Sequence, residues 1–128
     1  MIVYVFAILG CIYASIEGVR EAYYYHVAVS QGFKKNIHWL YLFQRTLFTI
    51  LLFSQTNFFI LAFFILSFSF LHNGFYYLAR NKLDKLAYPK KFIDNSTTST
   101  AIMEFNFIER IIMLGFAIVF LILNIIYR

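Results

Sequence analysis

Charge is scarce in this chain. Asp, Glu, Lys and Arg make up 13% of its 128 residues, against roughly 25% in soluble domains, so a water-exposed globule is excluded and a chain that meets lipid is expected. Cys11 is the single cysteine, which rules out an intrachain disulfide. It lies in an apolar run, where a thiol behaves as a small hydrophobe. Pro89 is the single proline, and long stretches are therefore free of helix breakers. Met1 to Ile16 carries neither the positive flank nor the small-x-small cleavage site of a secretory signal, and is expected to remain as a helix. Phosphate-binding glycine loops, nucleotide fingerprints, Glu-x-x-His and His-x-x-x-His spacings are all absent from the sequence.

What the chain does have is apolar and aromatic. Hydrophobic residues are 62% of the total and aromatics 22%, including 17 phenylalanines. The formal charge of +5 sits in two loops beside apolar runs, the pattern of a topology signal and not of a nucleic-acid surface.

The 34 positions between Arg45 and Arg80 hold no Asp, Glu, Lys or Arg. A bilayer core takes about 20 residues per helix, so this run is too long for one span. Ser54-Gln55-Thr56-Asn57 divides it with a polar turn. The expectation is a hairpin of two spans, about Ile37 to Phe53 and about Phe58 to Ala79. If the first of these lies along the interface instead, three spans remain.

Before the hairpin, a span over about Ile2 to Tyr25 places Ala7, Gly10, Ala14, Glu17, Glu21 and Tyr24 on one face, where small residues permit close helix approach. After it, a fourth span is expected from about Ala101 to Ile126, with a Ser or Thr cap from the polar run Asn95 to Thr100 and Glu104 in the first turn. The fold class is thus all-α: one polytopic membrane domain, a four-helix bundle. Lys34, Lys35, Lys82, Lys85, Lys90 and Lys91 put the loops 26–37 and 80–99 in the cytoplasm and both termini outside. The bulky Phe59, Phe63, Phe64, Phe68, Phe70 and Phe75 of the third span are expected to face lipid or a neighbouring subunit.

That topology gathers polar groups at the inner ends of all four spans: Glu17, Arg20, Glu21, His38, Gln44, Arg45, His72, Asn73, Tyr76, Arg80, Glu104, Asn106, Glu109 and Arg110. Ionisable groups at membrane depth cost roughly 2.5–3.5 kcal/mol each on insertion scales and mark function by default. The bland alternative is that Glu17, Glu21 and Glu109 pair with Arg20, Arg45 and Arg110 and lock the bundle.

Three uses of the cluster compete. It lines the cytoplasmic vestibule of a small homo-oligomeric channel or transport-type pore; it binds a metal or haem, with His72 the best ligand; or the chain is a non-catalytic subunit of a larger membrane complex. Arg45 at one span and His72-Asn73-Gly74 near the end of the next resemble, over a handful of residues, the membrane anchor of succinate dehydrogenase. Most of that family's pattern is missing; the resemblance implies a haem-binding anchor subunit. No catalytic residue is assigned, because Ser69 three positions before His72 is a common coincidence, and no cofactor is fixed by the sequence. The pore is the expectation taken forward, with the lipid bilayer and further copies of the chain as its partners.

Overall fold

In a computed structural model, residues 2–32, 38–95 and 105–127 are described. They form four helices: α1 (Ile2–Ser30), α2 (His38–Gln55), α3 (Phe58–Leu83) and α4 (Phe107–Ile126). Three candidate membrane spans, Ile2–Ala28, Phe58–Leu83 and Phe107–Ile126, are long and apolar enough to cross a bilayer. Helix α2 has 18 residues, about 27 Å at about 1.5 Å per residue, and is not among these three. Three helices are thus compatible with a membrane protein, with α2 the shorter fourth.

Helix α3 is the centre of the bundle. It packs along α1 on one side and α4 on the other, while α2 touches α1 and α3 more sparingly. One core cluster joins Ala7, Ile60, Phe63 and Ala117, and a second joins Ala22, Tyr76, Tyr77 and Ala79. The small-residue face of α1 is the docking face, with Ala7, Gly10, Ala14, Glu17, Gly18, Glu21 and Ala22 all buried. Gly10 admits the Phe64 ring, which a Cβ there would meet at 2.9 Å. Gly18 does more, because a Cβ there would overlap the His72 carbonyl oxygen, so the two backbones touch at this level.

The phenylalanines of α3 correct the lipid-facing expectation. Phe63 and Phe64 are buried, Phe68 stacks on His72, and Phe70 and Phe75 meet Phe92 edge-on. The outward side of α3 is carried instead by Phe58, Ile65 and Leu78, and aromatic rings pack against protein as readily as against acyl chains. Helix α2 also points an apolar face outward, where Trp39, Leu42, Phe43, Ile50 and Leu51 are exposed.

Helix ends also differ from expectation. Helix α1 runs past Tyr25 to Ser30, and α3 runs past Ala79 to Leu83. Helix α4 begins at Phe107, not Ala101, because Asn106 caps it: the Asn106 side chain accepts from the Glu109 N–H and the Glu109 carboxylate accepts from the Asn106 N–H. This reciprocal pair satisfies two end donors that a Ser or Thr further upstream would leave open. Glu104 and the expected cap at 96–100 lie outside the described residues. In the hairpin, Asn57 caps α3 by accepting from the Ile60 N–H and donates to Asn124 on α4 at 2.6 Å. It thereby ties the α2–α3 turn to the end of α4.

A buried ion cluster between three helices

Glu17 and Glu21 stand one turn apart on α1, so both carboxylates leave the same face. That face is pressed onto α3 at Gly18, which brings His72 level with them. Arg45 enters from α2. Its Nε donates to Glu17 Oε1 at 2.6 Å and its Nη2 to Glu21 Oε2 at 3.0 Å. His72 Nε2 lies 2.9 Å from the same Glu21 Oε2 and 3.0 Å from Arg45 Nη2. The three atoms form a near-equilateral triangle.

This triangle has a built-in conflict. Arg45 Nη2 only donates and an ionised Glu21 oxygen only accepts, so Nε2 of His72 serves one of them in either protonation form. The imidazole is held in place meanwhile. Phe68 stacks on it at 5.1 Å between centroids and Tyr76 at 6.3 Å, and Nδ1 faces Asn73 Oδ1 at 3.1 Å. A haem on His72 Nε2 would have to displace Glu21 and Arg45 together from that nitrogen, so these residues do not fit the haem that the anchor resemblance implies.

Burial within the cluster is uneven. The side chains of Glu17, Glu21 and His72 are 0%, 3% and 4% exposed, whereas Arg45 is 30% exposed. Glu17 Oε2 and the Tyr13 hydroxyl are both buried and neither makes a hydrogen bond of good geometry, but the two side chains lie beside each other. Both residues line a cavity of about 160 Å³ together with Ile16, Arg20 and Gln44, room for several waters. It opens between α1 and α2, so Glu17 joins the closed cluster to a partly open space.

Other residues expected at the site fall elsewhere. Arg20 donates to Gln44 at 2.8 Å and lies over Tyr41, on the outer side of the cavity. Arg80 donates to the Tyr76 hydroxyl at 2.7 Å and lies over Tyr88 at 3.8 Å, one layer behind His72. Glu109 is spent on its cap. Arg110 is fully buried beneath the loop and donates to the carbonyls of Phe92 and Asp94 at 2.7 and 2.6 Å. Glu17 and Glu21 therefore both pair with Arg45, while Arg20 and Arg110 have the other partners just named. Ser69 turns to the Met113 sulfur, away from His72. Gly74 is covered closely by the chain's own Phe92 ring.

Three participants escaped the sequence argument. Gly18 was readable as a glycine inside a helix, one residue from a buried Glu. Tyr13 and Phe68 carry no signal that separates them from other aromatics. Comparison with family models, curated proteins and solved structures found no match for the chain.

Proposed function

We propose that this is a small transport-type membrane protein that handles a cation at the Glu17–Glu21–Arg45–His72 cluster. The observation that carries the proposal is Glu17: a buried carboxylate with one oxygen on Arg45 and the other unpartnered, lining the cavity between α1 and α2. That second oxygen lies beside the Tyr13 hydroxyl and faces space for water, so a solvated cation can reach it as it could not reach an oxygen locked on an arginine. Ionisable groups that face a bundle interior or a water-accessible cavity are the usual markers of an ion or proton path.

In this proposal α2 is a fourth span, with its exposed apolar face against lipid, and the basic loops are cytoplasmic. The cation route lies within one chain, along α1 and α2. A homo-oligomer would then multiply routes, and its symmetry axis need not be lined with charge. The test is proton and monovalent or divalent cation flux into proteoliposomes. Wild type should conduct at least one of these above empty vesicles, Glu17→Gln and Arg45→Gln should change that flux, and Lys90→Gln should not. Equal flux in all four proteins, each folded, would remove the cluster from the mechanism.

A further inference from the structure

The geometry points to a divalent transition-metal site made by Glu17, Glu21 and His72, with the Arg45 guanidinium as a tethered cation that occupies it in the metal-free state. The inference deepens the cation-handling proposal and rests on it for its purpose, but its chemistry stands on separate observations. One carboxylate oxygen from each glutamate and one imidazole nitrogen lie within 4.8 Å of one another, and all three residues are buried. Ligand atoms each about 2.1 Å from a tetrahedral ion are about 3.4 Å apart, so a closure of at most about 1.4 Å, within the reach of small side-chain torsions, would seat one. His72 Nε2 and Glu21 Oε2, now hydrogen-bonded at 2.9 Å, would part by about 0.5 Å to take the ion between them.

Charge argues the same way. With Arg45 in place, two carboxylates face one guanidinium. With Arg45 withdrawn, two carboxylates and one divalent ion sum to zero, which suits a group of ligands buried away from water. Arg45 is the member able to withdraw, since it is the most exposed of the four and belongs to the most sparsely packed helix. Its departure would leave Glu17 Oε1 as well as the unpartnered Oε2 open to metal. It would also end the conflict at His72 Nε2, whose lone pair would then point at a cation. Two carboxylates with one imidazole suit zinc, manganese, ferrous iron or cobalt; without the imidazole, magnesium and calcium would suit equally. Three protein ligands leave at least one coordination position for water or for hand-over.

The test uses tag-free full-length protein in detergent, stripped with chelator and titrated with Co²⁺, read by its visible ligand-field bands and by metal analysis after desalting. The expected result is about one Co²⁺ per chain, held against excess Mg²⁺ and displaced by Zn²⁺. Glu17→Gln and His72→Gln should weaken binding at least roughly 10–100-fold, the range for disturbing a metal site, and Arg45→Gln should tighten it by a similar factor. The Arg45→Gln gain keeps the test decisive if a ligand variant fails to fold. Absence of stoichiometric binding in both wild type and Arg45→Gln, with helical circular dichroism intact, would overturn the site. So would binding that Glu17→Gln and His72→Gln leave unchanged. Flux without metal binding would overturn this inference and leave the transport proposal standing; metal binding without flux of any cation would do the reverse.

Discussion

Removing the Arg45 guanidinium gives the sharpest test of the cluster's energetics. In Arg45→Gln, kept metal-free by chelator, the two carboxylates lose the cation that bridges them at 2.6 and 3.0 Å. Breaking a buried ion pair costs about 3–5 kcal/mol. The lower end applies, because Arg45 is itself 30% exposed and part of its charge is already solvated. A loss of about 3 kcal/mol is roughly a hundredfold in the folding equilibrium. Reversible unfolding in mixed SDS micelles would measure it by far-UV circular dichroism. The single tryptophan, Trp39 at the start of α2 and 65% exposed, would report whether α2 separates first. Adding Glu17→Gln to Arg45→Gln should recover part of the loss, because a neutral amide needs no counter-charge in that pocket. If Arg45→Gln alone falls within about 0.5 kcal/mol of wild type, as an ordinary surface substitution does, the guanidinium is not what neutralises the carboxylates and the reasoning fails.

Further predictions concern the supports of the site. Gly18→Ala should destabilise by about 1–3 kcal/mol or more through overpacking, because the new methyl meets the His72 carbonyl, whereas Gly115→Ala, with nothing within 4 Å, should be neutral or slightly stabilising in the same unfolding assay. Asn124→Ala removes the bond to Asn57 and should cost about 0.6 kcal/mol, the mean for interhelical hydrogen bonds in membranes, and at most about 1.7 kcal/mol; a loss above about 3 kcal/mol would mean the pair does more than join two ends. Gly74→Ala should expel the Phe92 ring that now covers it and speed tryptic cleavage after Lys90 and Lys91; unchanged cleavage would separate the loop from α3. Asn106→Ala should lower stability by about 1 kcal/mol through loss of the α4 cap, with no loss if Glu109 alone holds the first turn.

Much of the scaffold follows from local rules. The division of the run between Arg45 and Arg80 at Ser54 to Asn57 is legible because polar residues at a turn and apolar residues along helices obey different solvents, and Asn57 then serves as the cap of α3. The face of α1 is legible because spacing by three and four survives whatever it packs against. The start of α4 shows the limit of such rules: a polar run before an apolar one suggested a cap near Thr100, while Asn106 with Glu109 forms the stronger reciprocal cap.

The candidate site was legible in its members and not in its pairing. Glu17, Glu21, Arg45 and His72 stand out as ionisable groups in apolar surroundings. Which arginine meets the glutamates depends on the rotation of α2 about its own axis, and Arg20, closer in sequence, goes to Gln44 instead. The placement of the α3 phenylalanines was illegible for a related reason. Inside a bilayer, lipid and protein core select the same residues, so apolarity alone does not tell an inward Phe64 from an outward Phe43.

The central claim is that four side chains from three helices form one hydrogen-bonded unit around His72, and solid-state ¹⁵N NMR of histidine-labelled protein in lipid bilayers addresses it directly. With the His72 ring signals assigned through their loss in His72→Gln, Arg45→Gln and Glu21→Gln should each move the Nε2 resonance, although these partners lie 27 and 51 positions away in the chain, while Lys90→Gln should leave it in place. An Nε2 resonance indifferent to both Arg45 and Glu21 would contradict the account.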